Sequence, residues 1–153
     1  MTEHAATIRW IRTSAGVDDY SRIHTWSNDA GALVEASASP LLVPPPLSGE
    51  GRFDPEQGFV ASIAACHMLW FLSVAAQRGY QIRSYRDRAV GLLAKGSHGR
   101  LAVTEIRLSP VVGFERSAPD EEAHIRLHAS AHERCFLAAS VHSRITLSPK
   151  IEA

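Results

Sequence analysis

Hydrophobic positions in this chain form one long block and several short alternating segments. The block, Phe59–Ala76, is almost continuously apolar and predicts the centre of a helix over Asp54–Gly79. Asp54 and Gln57 fit a capping box at its start, and Pro55 suits the first helical position. The glycine that closes this range suits the position just after a helix. The pattern therefore predicts one long apolar helix with defined ends.

The length and composition of this helix predict how it is buried. About 24 residues at ~1.5 Å each give a rod of roughly 36 Å. A helix that is apolar on all sides is buried on all sides, and a 153-residue monomer has difficulty enclosing it. We therefore expect a partner subunit to cover part of it. The block approaches the ~20 residues of a membrane span, but no tryptophan or tyrosine belt flanks both ends, so we expect no membrane segment.

Alternating apolar and polar residues outside the block predict strands. The expected strands are Ala5–Arg12, Arg22–Trp26, Ala32–Ser37, Gln81–Lys95, Gly99–Leu108 with a bend into Val111–Phe114, and Arg144–Ser148.

A second helix is expected over Asp120–Ser140, although Ala123–His132 alternates as a strand does. The sequence Pro-Asp-Glu-Glu at its start and a shared helical face favour the helix. The residues of that face are Ile125, His128, Ala131, His132, Cys135 and Ala138. The resulting order β-β-β-α-β-β-α-β predicts an α+β fold, with an antiparallel sheet packed against two helices.

Length and charge narrow the class of protein. With 153 residues and 45% hydrophobic content, the chain is expected to form a single domain over residues 1–153. Its 16 basic and 16 acidic residues show no basic stripe, which argues against nucleic acid and anionic membranes as partners. The first ten residues lack a signal-peptide pattern, so a cytoplasmic location is expected.

The only two cysteines are the first candidates for chemistry. Cys66 lies within the apolar block beside His67, and Cys135 lies in the second predicted helix three residues after His132. Thiols are kept reduced in the cytoplasm, so such a pair indicates catalysis or metal binding more than a structural disulfide. A plain core role is the alternative for both cysteines, because free cysteine is among the most buried residue types.

A reactive Cys66 would need a nearby cation. It lies about three turns into its helix, beyond the range of the helix dipole. The candidate cations are Arg9, Arg12, Arg22 and Arg52. Glu56 lies in the first turn, where it either stabilises the helix start or orients one of these arginines.

Metal binding is a competing hypothesis. Cys66-His67 and His132-x-x-Cys135 offer four zinc-type ligands, but adjacent helical residues point about 100° apart. His124 and His128 continue the four-residue spacing of His132, which is typical of a core-lining or solvated stripe and less so of a metal site. No serine stands in a nucleophile-elbow context.

Two segments resemble the motifs of the OsmC/Ohr peroxidases. FDPEQGFVASIAACHMLWFL is similar to the family's Asn-Pro-Glu-Glu/Gln motif, which runs through apolar residues to a cysteine. AHERCFLAASV resembles its second cysteine motif. The resemblance covers nearly the whole chain. It implies an α+β, OsmC-like intertwined homodimer in which two long helices lie at the centre, wrapped by sheets.

The resemblance also implies an activity and its residues. Cys66 would be the peroxidatic thiol and Cys135 the resolving thiol, with Glu56 pairing with an arginine for which Arg22 is the best match. The expected reaction reduces organic hydroperoxides, and hydrogen peroxide weakly, in oxidative-stress defence. A dithiol would serve as reductant, and no cofactor or metal would take part. The alternative is a non-enzymatic dimer of the same fold, acting as a redox sensor or small-ligand module.

This sequence departs from the family pattern at several positions. Asp54 replaces the usual asparagine, Phe136 stands where a proline often follows the second cysteine, and His67 stands where a hydrophobic residue is common. A proline cluster, Pro44–Pro46, replaces glycines before the helix. These departures bear on the substrate and the reductant more than on the fold.

Overall fold

The computed structural model describes residues 1–152, which fall into two compact units. One unit is Met1–Gly58, and the other begins at Phe59. The predicted α+β class is confirmed, whereas the single domain over residues 1–153 stays a prediction. The helices are α1 (Pro55–Gln77), α2 (Glu121–Arg134) and α3 (Phe136–Ala139). The strands are β1 (Thr7–Arg9), β2 (His24–Ser27), β3 (Leu33–Ala36), β4 (Ile82–Asp87), β5 (Val90–Lys95), β6 (Leu101–Leu108), β7 (Pro110–Phe114), β8 (Arg144–Leu147) and β9 (Lys150–Ile151).

The start and end of α1 follow the capping signals in the sequence. The Gln57 N–H donates to Asp54 Oδ1 at 2.7 Å, and the Asp54 N–H donates to Gln57 Oε1 at 3.2 Å, which is a capping box. At the other end, Gly79 adopts φ +82°, and the Tyr80 N–H donates to the Ala75 carbonyl at 3.0 Å. This is a glycine-closed helix end, so both predicted boundaries of the helix are confirmed.

The first unit contains an antiparallel sheet in the order β1-β2-β3. A turn joins β2 to β3, in which Asn28 Oδ1 accepts the N–H groups of Ala30 and Ala32. Gly31 adopts φ +88° in this turn, a conformation that suits glycine. The three N-terminal strands predicted from alternation are therefore present, with β1 shorter than expected.

The second unit contains two three-stranded sheets, in the orders β4-β7-β9 and β5-β6-β8. The expected single strand Gln81–Lys95 is wrong, because β4 and β5 pair in different sheets. The chain crosses between the sheets again at the β6–β7 corner, where the Ser109 N–H donates to Asp87 Oδ1 at 2.7 Å. β8 and β9 run parallel to β6 and β7, so a single antiparallel sheet is replaced by three small sheets.

Two hydrophobic clusters pack against α1 in the second unit. Phe71, Val74 and Ala75 pack with β7 and α2, through residues that include Val112 and Leu127. Nearer its start, α1 packs with β6 through a separate cluster. Its members are Val60, Ile63, Ile106 and Leu108. The long apolar helix thus forms the common core of this unit.

The single chain covers only part of α1. It is the one helix in residues 1–152 long and apolar enough to cross a membrane, and 33% of that stretch is buried. Ala61, Ala65, Leu69 and Ala76 are exposed, and Leu69 is 61% exposed. These residues recur at helical spacing and form an uncovered apolar face. Complete burial of this helix within one chain does not occur, as the sequence argument anticipated.

The second predicted helix is broken at Cys135. α2 begins at its N-cap Asp120, whose Oδ1 accepts the Ala123 N–H at 2.7 Å, and it ends at Arg134. Cys135 has extended backbone angles, φ −72° and ψ 108°, so the expected continuous helix Asp120–Ser140 is wrong beyond Arg134. The predicted shared face is only partly buried, because Ile125 is 51% exposed. The buried residues of α2 are His124, Leu127, His128 and Ala131.

Candidate functional site

The two cysteines come together in the unit that begins at Phe59. Cys66 lies on α1 and is partly exposed, whereas Cys135 is 2% exposed, and both thiols are free. Burial, and then the neighbouring Cys66 sulfur, raise the pKa of Cys135 to about 11. Cys135 therefore keeps its proton at neutral pH, and the exposed member of the pair is Cys66.

The break between α2 and α3 determines where the Cys135 thiol points. Its Sγ accepts the Ala138 N–H at 3.4 Å, so the thiol caps α3. Its own N–H donates to the His132 carbonyl at 3.2 Å, which closes the end of α2. The hydrogen bond from Ala138 stabilises a thiolate, but burial outweighs it in the pKa of Cys135.

A row of three buried histidines lies between α1 and α2. His67 Nε2 and His128 Nδ1 share a hydrogen bond at 2.9 Å, and His128 Nε2 and His124 Nε2 share one at 3.2 Å. The His67 and His128 rings stack with centroids 5.3 Å apart and an interplanar angle of 7°. Phe71 stacks on His128 with centroids 4.1 Å apart. The row thus connects α1 to α2 within an aromatic core.

Burial keeps the row neutral. It lowers the pKa of His67 to about 4, with a smaller contribution from the positive charge of His132. It lowers the pKa of His128 to about 3, with smaller contributions from His67 and His124, and it also lowers the pKa of His124. His67 Nδ1 is buried without a hydrogen-bond partner among residues 1–152. All three rings therefore act as neutral imidazoles at physiological pH.

β4 brings two more titratable groups to this core. Tyr85 lies with its ring centroid 6.4 Å from that of His128, and its hydroxyl is buried without a partner in the described chain. Burial, and then the charge of Asp87, raises the pKa of Tyr85. Burial also raises the pKa of Asp87, although its hydrogen bond from the Ser109 N–H opposes that shift. The phenol therefore stays protonated beside the histidine row.

Arg22, predicted as the catalytic arginine, lies in the first unit beside Tyr20. Its guanidinium carbon is 3.5 Å from the centre of the Tyr20 ring, and it donates a hydrogen bond to the Tyr20 carbonyl. It borders an apolar groove of about 520 Å³ in this unit. The groove is lined by Ile8, Trp10, Arg12, Tyr20, Arg22, His24, Ala38 and Pro55. Arg22 forms no ion pair within residues 1–152.

Glu56, the other predicted site residue of the first unit, lies in the first turn of α1. Its Oε2 is buried without a hydrogen-bond partner among the described residues. No ion pair joins it to Arg22 in this part of the chain. Arg52 contacts Glu35 at 3.8 Å, and its own Nε is also buried without a partner. The predicted roles of Glu56 and Arg22 therefore stay predictions.

The zinc alternative has no geometric support in residues 1–152. No group of three or more His, Cys, Asp or Glu side chains there is arranged to hold a metal ion. His67 uses Nε2 for His128, which lies on a different turn of α2 from His132. Two members of the expected histidine stripe, His124 and His128, line the core.

Sequence analysis did not pair His67 with His128. The sequence places both residues on helices, but periodicity within one helix does not show which residue of another helix it contacts. The available signal was the seven-residue separation of His128 and Cys135, which places them on one face two turns apart.

Comparison with known proteins places this site in a described fold. The sequence matches the family of OsmC-like proteins over residues 48–150. An OsmC-like protein of unknown function from Vibrio cholerae is 44% identical, with a TM-score of 0.93, over 99% of this chain and 100% of that one. No curated protein sequence matched the chain.

More distant solved structures share the fold. An organic hydroperoxide resistance protein from Elizabethkingia anophelis aligns with a TM-score of 0.67 and 17% identity, over 99% of this chain and 97% of that one. The organic hydroperoxide resistance protein of Bacillus subtilis aligns with a TM-score of 0.62 and 20% identity, over 97% and 96%. At such identities the likeness concerns the fold alone. The match to residues 48–150 and the 44% identity to the Vibrio cholerae protein show that this chain belongs to the OsmC-like family.

Proposed function

We propose that this protein is a thiol-dependent peroxidase that reduces organic hydroperoxides, and hydrogen peroxide weakly. The observation that carries the proposal is the meeting of an accessible thiol, Cys66, with a buried thiol, Cys135. Two relatives in fold are named organic hydroperoxide resistance proteins, which supports the substrate class. A role in oxidative-stress defence follows from this activity.

The exposure of the two thiols supports their proposed roles. Cys66 is partly exposed and can meet a peroxide, whereas Cys135 is buried and holds its proton. The Cys66 thiolate attacks one peroxide oxygen, the O–O bond breaks, and the alkoxide leaves and takes a proton to become an alcohol. The Cys66 sulfenic acid then condenses with Cys135, releasing water and forming a disulfide. A dithiol reductant restores both thiols by exchange.

We propose that Glu56 and Arg22 assist this step. An arginine beside the sulfur would favour the thiolate and stabilise the departing oxygen. Glu56 Oε2 is buried without a partner in the described chain, which supports an arginine as its partner in the active protein, because a buried carboxylate oxygen without a partner is costly. The absence of an ion pair on Arg22 within residues 1–152 leaves it available for that role.

We also propose that the protein acts as a homodimer in the cytoplasm. The exposed apolar face of α1, with Leu69 at its centre, supports a second copy as the cover for this helix. Free thiols at both cysteines fit a reducing compartment. Sedimentation at several protein concentrations would test the dimer, and Leu69→Lys should convert it to monomer. A monomeric wild-type protein would refute this part of the proposal.

Stopped-flow measurement of cumene hydroperoxide and hydrogen peroxide consumption would test the activity. We expect Cys66→Ser to abolish reduction of both peroxides. Cys135→Ser serves as the matched control, because one equivalent of peroxide should convert its Cys66 to the sulfenic acid and a second equivalent should overoxidise it to the sulfinic acid. Mass spectrometry of the wild-type protein should detect a Cys66–Cys135 disulfide. Full turnover by Cys66→Ser would refute the mechanism.

A non-enzymatic sensor or ligand-binding module is the second candidate. It is favoured by the apolar groove of the first unit, about 520 Å³ in volume and bordered by Arg12 and Arg22. This function predicts that the reduced protein consumes peroxide no faster than a free thiol does. Fast, saturable turnover of cumene hydroperoxide would exclude it.

A further inference from the structure

We propose that the hydrogen bond between His67 and His128 sets the register of α1 against α2, and thereby holds Cys66 and Cys135 in position to form a disulfide. His67 and His128 are positioning residues in this proposal, since they act through the two thiols. The proposal rests on the proposed function only in taking the Cys66–Cys135 disulfide as the oxidised product.

The sequence separation of each histidine from a cysteine defines their relative positions along the two helices. His67 is adjacent to Cys66 on α1. His128 precedes Cys135 by seven residues, or about two turns, and so lies on the same side of α2. A hydrogen bond that holds His67 against His128 therefore also sets the positions of the two cysteines along their helix axes. A shift of α1 by one residue would move Cys66 by about 1.5 Å.

Apolar packing alone would leave this register poorly defined. α1 is apolar around its whole circumference, and hydrophobic contacts have no directional preference. A buried polar pair between helices, in contrast, is satisfied in one register only. Apart from the thiols themselves, His67–His128 is the only buried side-chain hydrogen bond joining α1 to α2 within residues 1–152. The other side-chain bond between them, Arg134 to Gln77, is exposed.

The surroundings of the pair hold it rigidly. Both rings are 1% exposed and lie nearly parallel, 7° apart. Phe71 stacks on His128, and His124 accepts or donates the second bond of that ring at 3.2 Å. That second bond lies within α2, because His124 and His128 are one turn apart, so it does not affect the helix register. His124 therefore provides an internal control.

Equilibration with glutathione tests the proposal without any peroxide. Two thiols and one glutathione disulfide give the Cys66–Cys135 disulfide and two glutathione thiols, and this equilibrium measures the effective concentration of one thiol at the other. His67→Phe keeps an aromatic ring and removes the inter-helix bond. We expect it to lower that effective concentration about tenfold, since a hydrogen bond of about 1.4 kcal/mol corresponds to a factor of ten.

Three companion measurements separate positioning from folding. His124→Phe should stay within about twofold of the wild type, because it leaves His67–His128 in place. His67→Gln, which keeps a hydrogen-bond donor, should recover part of the loss. The alkylation rate of Cys66 in a Cys135→Ser background should be the same with and without His67→Phe, since positioning affects only the meeting of the two sulfurs.

Several results would overturn the proposal. One is a folded His67→Phe variant whose effective thiol concentration equals that of the wild type. Another is an equal loss of effective concentration in His124→Phe, because the loss would then follow from removing any buried polar group and not from the register of the two helices. If His67→Phe does not fold, the same decision rests on His67→Gln against His124→Phe, with equal values refuting the idea. Failure of the wild type to form the disulfide in glutathione also refutes it, whereas slow peroxide turnover with normal disulfide formation refutes only the peroxidase.

Discussion

Acidification should destabilise this protein through its buried histidines. His67 and His128 have pKa values of about 4 and 3, below the ordinary value of 6.5. The unfolded chain therefore binds more protons than the folded chain below pH 6.5. Stability that is complete above pH 6.5 is lost as the pH falls through the folded pKa values. The window extends from pH 6.5 to about pH 3.

The size of the effect follows from the pKa of each group. For His67, moving from pH 7 to pH 5 lowers the free energy of unfolding by about 2 kcal/mol, and His128 contributes a similar amount. The lowered pKa of His124 acts in the same direction. Asp87 acts in the opposite direction, because its raised pKa favours the folded state on acidification. Together, His67 and His128 account for a loss of about 4 kcal/mol by pH 5.

Urea denaturation at fixed protein concentration, at pH 7 and pH 5, measures this loss. His67→Phe should show roughly half of the acid sensitivity, since one of the two largest contributions is gone. His98→Gln, which removes an exposed histidine of the β5–β6 turn, should behave as the wild type does. Equal stability of the wild type at pH 7 and pH 5, or an equal change in His98→Gln, would refute the assignment of the effect to the buried row.

Two packing changes give independent tests, each by urea denaturation at pH 7. Gly58→Ala should lower the free energy of unfolding by about 1–3 kcal/mol, because the added Cβ would lie 2.5 Å from Trp26 Cη2. A variant as stable as the wild type would contradict this contact. Phe71→Ala should lower the free energy of unfolding by about 3–5 kcal/mol, because Phe71 is 0% exposed and packs in the core cluster around α1. A loss below about 1 kcal/mol would contradict this and show that the core closes around the cavity.

Local signals predicted the helices where capping chemistry was present. Asp54 with Gln57, and Gly79, define both ends of α1, because these residues satisfy backbone groups within the segment itself. Asp120 defined the start of α2 in the same way. These interactions span only a few residues, so the sequence contains all of the information that they require.

Local signals of this kind did not predict which strands pair with each other. The segment Gln81–Lys95 alternates throughout, yet its two halves pair with different strands. The change occurs at Asp87, whose carboxylate accepts an N–H from Ser109, 22 residues away. A long-range contact of this kind leaves no periodic trace. The same limit explains why the exposure of Ile125 and the contact between His67 and His128 required the structure.

The break at Cys135 has a consequence for the proposed disulfide. Cys66 lies in mid-helix, where any displacement would disturb backbone hydrogen bonds on both sides. Cys135 lies in extended backbone between two helices, and its sulfur is held by a weak hydrogen bond from the Ala138 N–H at 3.4 Å. Forming a disulfide fixes the separation of the two Cα atoms within narrow limits, so any adjustment that it needs falls on the residue that moves more easily. Cys135 can adjust by giving up that one bond, while the inter-helix pair His67–His128 keeps Cys66 in place.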